Sequence, residues 1–336
     1  MRVGGYGMTK ASFTLHGGNL NDARTVFGEG DQPWLDLSTG INPVSWPGTS
    51  RIDCGWQALP DPKLLAILEA AAARHFGVAP DLCCAVPGSD LALRLLGKVL
   101  DVPAAFVAPG YSGHSAVWSD SQPVAAFDAL PDEALALLLA NPNNPDGCIY
   151  TPERLLRWRD SPAAENRWLV VDEAFADATP DISLAAHIAA HRRLIILRSF
   201  GKFFGLAGLR LGFLLAPPEI IAEFRRLLGD WPLSSAALAI GTAAYEDSDW
   251  ILKTRKDLGL RANRLDALLE SHGLCTIGAC PHFRLIENDN AEEIFRLLAR
   301  KAILTRPFDY EPRWLRLAVP ASDADFARLH EALADG

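Results

Sequence analysis

No apolar run in this sequence approaches the ~18 residues a membrane-crossing helix needs. The most tempting stretch, Leu135 to Ala140, has the length of one buried strand. The opening residues, Met1 to Phe13, lack the apolar centre of a secretory leader, so the expected location is the cytoplasm. Basic residues are in deficit: 32 Lys and Arg stand against 41 Asp and Glu, a formal net charge of −9. The cationic footprint of a nucleic-acid binder is therefore missing, and neither nucleic acid nor membrane is an expected partner. The six cysteines include no C-x-x-C pair. Cys83 and Cys84 adjoin in an apolar run, while Cys54, Cys148, Cys275 and Cys280 are scattered, so packed, reduced thiols are expected and no metal site is. Three familiar motifs also miscarry. Gly110-Tyr111-Ser112-Gly113-His114 lacks the last glycine of a G-x-S-x-G nucleophile elbow. Gly201-Lys202 is followed by Phe203 where a phosphate loop needs Ser or Thr. No G-x-G-x-x-G occurs, which leaves a Rossmann dinucleotide site unsupported.

What is present can fill a sizeable core. Hydrophobic residues make up 49% of 336 positions, enough for about two domains at ~150 residues each. Short apolar runs at 82–86, 104–108, 134–140, 169–171, 194–197 and 211–215 are continuously hydrophobic, as strands covered on both faces must be. Helical patterns intervene at 91–100, after Ser89-Asp90, and at 152–160, after Thr151, each start offering an N-cap. The alternation predicts an α/β fold with a mostly parallel sheet. Beyond Pro217 the texture shifts to long helical patterns at 234–245 and 249–272. A strand at 282–286, a helix at 291–301, a strand at 314–319 and a helix from Asp323 follow. The expected division is an arm over 1–42 that joins the small domain, a large domain over 43–230, and a smaller α+β domain over 231–336.

Polar residues gather where the predicted strands end, the edge at which open α/β sheets bind ligands. The series is Pro87-Gly88-Ser89-Asp90, Pro109-Gly110-Tyr111, Asn141-Pro142-Asn143-Asn144-Pro145, Val171-Asp172-Glu173-Ala174-Phe175 and Ser199-Phe200-Gly201-Lys202, with Arg210 eight positions on. Taken singly, each has a plain reading: a helix cap for Asp172, a solvated lysine for Lys202, a turn for Gly88-Ser89-Asp90. Asn144, Asp172, Lys202 and Arg210 follow one another at intervals of 28, 30 and eight residues. In that order and spacing, from about residue 16 to about residue 320, the chain resembles the fold type I pyridoxal-phosphate superfamily, whose large domain is of the aspartate-aminotransferase type.

That resemblance implies pyridoxal 5'-phosphate as cofactor and a role for each residue. Lys202 matches the lysine that joins the cofactor aldehyde, and Asp172 the carboxylate that keeps the ring nitrogen protonated. Asn144 matches the donor to the ring oxygen and Tyr111 the aromatic that covers the ring. Phosphate would lie at the helix start formed by Gly88, Ser89 and Asp90, with Ser199 and Arg210 as further ligands. Two departures stand out. Phe175 replaces a tyrosine that often donates to the ring oxygen, and Leu59-Pro60-Asp61-Pro62 replaces a Tyr-Pro-Asp-Pro segment that reaches a neighbouring subunit. A homodimer is implied by the resemblance alone.

The arm narrows the match. His16-Gly17-Gly18-Asn19 and Leu37-Ser38-Thr39-Gly40-Ile41-Asn42-Pro43 look like the start of the threonine-phosphate decarboxylases of cobalamin biosynthesis, cousins of the histidinol-phosphate aminotransferases. Such segments bring backbone close to substrate, so His16, Gly17, Gly18, Gly40 and Asn42 are expected at the substrate; the plain alternative for the first three is a flexible turn. Ile303-Leu304-Thr305-Arg306 and Trp314-Leu315-Arg316-Leu317 match two arginine segments of the same families. Arg316 matches the planar fork for an α-carboxylate and Arg306 a second anion site, although an arginine between two leucines could also face solvent. The implied substrate is a phosphorylated amino acid. The implied reaction is decarboxylation of L-threonine O-3-phosphate to (R)-1-amino-2-propanol O-2-phosphate, with transamination of histidinol phosphate or a related amino-group donor as the alternative. A degenerate, non-catalytic α/β scaffold is the reading from another class.

Overall fold

Every apolar run predicted as a strand between residues 82 and 215 is one in the computed structural model, which describes residues 11–127, 129–188 and 193–335. The first ten residues of the expected arm lie outside the described residues. The chain divides into two compact units, Val44–Asp257 and Met1–Pro43 with Leu258–Gly336.

The larger unit is built on a seven-stranded sheet. From one edge to the other its strands are Cys83–Val86, Gly212–Leu215, Leu194–Ser199, Trp168–Asp172, Ala136–Ala140, Ala104–Val107 and Gln122–Val124. All neighbours are parallel except at Gly212–Leu215, which runs antiparallel to both strands beside it. The central strands are buried along almost their whole length, which is why their sequences do not alternate. Leu93 and Leu96 of helix Ser89–Val99 and Phe224 of helix Pro218–Leu228 pack on one face, against Leu138, Val170, Ile195 and Leu197. Five chain segments leave the sheet at one edge: after Val86, Val107, Ala140, Asp172 and Ser199. The short strand Gln122–Val124 was not predicted; at three residues with a proline inside it carries no pattern, and it sits at the edge where a missing N–H is tolerated.

Helix Pro62–Phe76 also escaped prediction, although its ends are well marked. The Asp61 carboxylate accepts from the Lys63 N–H at 2.9 Å, and Gly77 closes the helix at φ 71°. Helix Ser235–Glu246 lies so close to it that a Cβ on Gly241 would stand 2.9 Å from Leu68. This packing keeps residues 235–257 with the larger unit, so its boundary falls at Asp257, inside helix Ser248–Ser271, rather than at residue 230.

The smaller unit holds a four-stranded antiparallel sheet in the order Arg306–Pro307, Trp314–Ala318, Phe283–Glu287, Thr276–Ile277, with helices Ala291–Arg300 and Asp323–Ala334. A reciprocal cap between Ser322 and Asp325 opens the last helix. The N-terminal segment is more ordered than its composition suggested. It forms helix Leu20–Phe27, then a two-residue strand, Leu35–Asp36, that pairs in parallel with Ile303–Leu304. No described helix is long and apolar enough to cross a membrane.

Candidate active site

Asp172 closes its strand with only 6% of its surface exposed, so its charge needs partners. The Ala174 N–H donates to Oδ1 at 3.1 Å, and the ring Nε2 of His114 lies 3.2 Å from Oδ2. His114 is fully buried in the short turn Ser112–Ala116 that follows strand Ala104–Val107, and its Nδ1 has no hydrogen-bond partner among the described residues. With Nε2–H donating to the carboxylate, the imidazole fixes where Asp172 points. His114 was not among the expected site residues. Its only signal was a histidine three residues after Tyr111 in a strand-end loop, and a pairing across 58 residues of sequence is invisible without the fold.

Tyr111 and Asp90 meet, the phenol donating to Oδ1 at 3.1 Å, while Arg94 holds the other carboxylate oxygen at 3.1 Å. Burial, then the Asp90 charge, pushes the Tyr111 hydroxyl up to about 12, so it stays a neutral donor. The Tyr111 ring stands edge-on to His114, with centroids 5.6 Å apart. Asn144 is half-buried in a loop that its neighbours pin down. Asn141 donates to the Tyr150 carbonyl and accepts from the Tyr150 N–H, and Asn143 donates to the Pro109 carbonyl at 2.9 Å.

The glycines beside this edge let the backbone and the Arg210 side chain approach closely. Gly88 has φ 93° and precedes helix Ser89–Val99; a Cβ there would stand 2.6 Å from Arg210 Nη2. A Cβ on Gly212 would stand 2.6 Å from the Ser89 nitrogen. Strand pairing sets Ser199 opposite Gly212 and Val86 opposite Gly212 on its other side. Helix start, Ser199 and the Arg210 guanidinium thus lie close together, a set of donors suited to an anion cup. Arg210 itself holds φ 55°, a left-handed conformation uncommon for a side-chain-bearing residue. Lys202 sits half-buried on the four-residue helix Phe200–Phe203, its Nζ 5.6 Å from the centre of the Phe175 ring. The larger unit therefore collects all nine expected cofactor residues at the strand-end edge.

The smaller unit places the other seven. Arg306 and Arg316 are direct partners in the antiparallel pair, so both side chains stand on one face of the sheet. Arg316 is only 3% exposed, which excludes the solvent-facing alternative. Its Nη2 donates to the Ser38 carbonyl at 2.8 Å and its guanidinium lies over the Phe283 ring. Burial, then the neighbouring Arg306 charge, lowers Arg316 to about 9. Arg306 donates to the Leu15 carbonyl at 2.7 Å, beside His16, which is exposed. Gly17 packs so tightly that a Cβ would stand 2.4 Å from the Ser38 oxygen, and the Gly18 N–H donates to Ser38 Oγ at 2.7 Å. The Gly17–Gly18 turn is thus fastened to the Ser38 segment rather than free. Gly40 and Asn42 are buried.

A buried carboxylate held by an imidazole, an anion cup and a nearby lysine amine suit a phosphorylated ring with a basic nitrogen and an aldehyde, and this defines the class as an enzyme of pyridoxal-phosphate type. The chain belongs to the class I and II aminotransferase family, whose model matches residues 123–333. It is 37% identical to a threonine-phosphate decarboxylase of Sinorhizobium sp over 330 residues, covering 95% of this chain and 97% of that one. It is 35% identical to a threonine-phosphate decarboxylase of Pseudomonas aeruginosa over 325 residues, 95% and 96% of the two chains. The fold matches the crystal structure of a histidinol-phosphate aminotransferase from Sinorhizobium meliloti in complex with pyridoxal-5'-phosphate. The TM-score is 0.82 at 22% identity, covering 99% of this chain and 98% of that one.

Proposed function

We propose that this protein is a pyridoxal-phosphate-dependent decarboxylase of L-threonine O-3-phosphate, releasing carbon dioxide and (R)-1-amino-2-propanol O-2-phosphate as a step of cobalamin biosynthesis. One observation carries the substrate class: Arg306 and Arg316 are set side by side on one face, a repulsive arrangement that a doubly anionic ligand would relieve. The near full-length likeness to two proteins named for this activity supports the same reading.

The cofactor, when bound, supplies an aldehyde that captures amines and a protonated ring that accepts the electron pair of a bond broken at Cα. The chain's residues do the rest. Asp172, oriented by His114, would keep the proton on the ring nitrogen. Asn144 would donate to the ring oxygen and Tyr111 would cover the ring. Gly88, Ser89, Asp90, Ser199 and Arg210 would hold the phosphate. Lys202 would hold the aldehyde and carry the proton returned to Cα. Arg316 would fork the α-carboxylate and Arg306 would take the substrate phosphate. His16, Gly17, Gly18, Gly40 and Asn42 would line that end with backbone and side-chain donors. Phe175 contributes no donor, which leaves Asn144 as the ring oxygen's expected partner.

A second copy of the chain is the proposed partner. Trp56, Leu59, Leu64, Ile67 and Trp231 are large, apolar and exposed in the larger unit, and Trp231 shares a crevice with Pro60, Asp61, Pro62 and Leu65. The test of the activity is direct: purified protein with L-threonine O-3-phosphate, in the presence and absence of 2-oxoglutarate, followed for carbon dioxide and glutamate. Carbon dioxide without an oxo-acid supports the reading; glutamate-linked turnover of histidinol phosphate without carbon dioxide replaces it with an aminotransferase.

A further inference from the structure

Behind the edge that carries Asp172 and Lys202 lies a wholly buried ionic cluster that the proposed chemistry does not use. Arg198 and Ser199 are successive strand residues and face opposite sides, while Glu173 follows the end of its strand, its N–H donating to the Leu197 carbonyl at 2.9 Å. Arg198 and Glu173 meet at the back. Arg198 Nη1 donates to Glu173 Oε2 at 2.7 Å and Nη2 to Asp177 Oδ1 at 2.5 Å. Ser183 Oγ donates to Glu173 at 2.5 Å, the Leu184 N–H donates to its other oxygen at 2.7 Å, and His75 Nε2 lies 2.9 Å from Asp177. The guanidinium also lies over the Phe76 ring, 4.7 Å from its centre.

Two carboxylates and one guanidinium withdrawn from water are a costly source of stability, and apolar residues of the same volume often do as well. What such a cluster provides instead is geometry, because a planar fork fixes distance and angle together. Here the fork is Arg198, the residue before Ser199 and four positions before Lys202, and it holds Glu173, the residue after Asp172. Burial by itself would raise Asp177; the Arg198 charge and the His75 contact override it and hold the carboxyl well below its usual range. Glu173 shifts the other way, raised by burial against the Arg198 charge, so the ionised pair is Arg198 with Asp177, and Glu173 completes the clamp through its hydrogen bonds.

We propose that Arg198, with Glu173 and Asp177, is a positioning residue that sets the spacing of Asp172 and Lys202 from behind. This rests on the cofactor reading above. The test uses holoenzyme with pyridoxal phosphate and no substrate, comparing Arg198→Lys, Glu173→Gln and the milder Ser183→Ala by circular dichroism of the bound cofactor, cofactor release, thermal unfolding and then kcat and KM. The clamp predicts a changed cofactor signal in all three variants, least in Ser183→Ala. It also predicts kcat lowered on the order of 10- to 100-fold in the first two, with KM within about threefold, as small misplacements of reacting groups produce. Lower melting temperatures with an unchanged cofactor signal and unchanged kcat would overturn it. If Arg198→Lys and Glu173→Gln fail to fold, Ser183→Ala decides alone: it removes one hydroxyl, and an unaltered cofactor signal there overturns the clamp. The unsubstituted protein separates this from the cofactor reading. With no cofactor signal there, both fall; with a signal there that the variants keep, only the clamp falls.

Discussion

Lys202, Asp172 and Arg316 bear most of the proposed chemistry, and each gives a separable prediction. Lys202→Ala should abolish turnover and the covalent retention of cofactor after borohydride reduction; a variant that keeps full activity would refute the assignment. Arg316→Lys keeps one positive charge but loses the fork, and one charge-assisted hydrogen bond is worth about 1.5–3 kcal/mol. Substrate KM should therefore rise on the order of 10- to 100-fold, while the cofactor spectrum stays as it is, measured by steady-state kinetics and absorbance. Tyr111 offers a test by pH. Its hydroxyl is raised from near 10 to about 12, chiefly by burial, so folded protein keeps the phenol protonated after an unfolded tyrosine would have ionised. The stability it contributes is fully present below about pH 10 and is lost as pH rises toward 12; ultraviolet titration should show late ionisation at Tyr111, which Tyr111→Phe removes, beside that of the buried Tyr245. The gathering of Lys202, Asp172 and Arg210 at one sheet edge was legible in their order and spacing, through the resemblance that these carry, and their roles are those proposed above. His114 and Arg198 were not legible. Each acts through a partner brought near by the sheet, and neither carries a local signature.

At the scale of elements, the strands were readable because burial on both faces leaves unbroken apolar runs, whereas a three-residue edge strand and a helix opened by Asp61-Pro62 left weaker traces. The glycines of the anion cup are the sharpest element-level test. An alanine at Gly212 would push its Cβ against the Ser89 nitrogen, which belongs to backbone and cannot swing aside. Gly212→Ala should cost about 1–3 kcal/mol, the usual penalty of overpacking, and weaken cofactor retention as the helix start is displaced from Arg210. Calorimetry and cofactor dialysis measure the two effects. Gly88→Ala should share the second effect, because its left-handed φ and the Arg210 contact both oppose a side chain. At Gly273, also left-handed but with nothing near its absent Cβ, alanine should cost only the backbone strain and leave the cofactor in place.

For the whole molecule, the length suggested about two domains with a boundary near residue 230, and the chain divides into two compact units with Asp257 closing the larger one. Helix Ser235–Glu246 reads as a new texture in sequence, and only its packing on helix Pro62–Phe76 assigns it to the larger unit. The exposed apolar residues of 56–67 and Trp231 predict a dimer at twice the 36.5 kDa chain mass in sedimentation, and Ile67→Glu should shift it toward the single-chain mass. A single-chain mass for the unsubstituted protein would remove that expectation. Carbon dioxide release from L-threonine O-3-phosphate, with pyridoxal phosphate and no oxo-acid, is the deciding measurement of the proposed activity. One carbon dioxide and one (R)-1-amino-2-propanol O-2-phosphate are expected per substrate consumed, whether or not 2-oxoglutarate is added. No carbon dioxide, with glutamate formed from histidinol phosphate in the presence of 2-oxoglutarate, would contradict it.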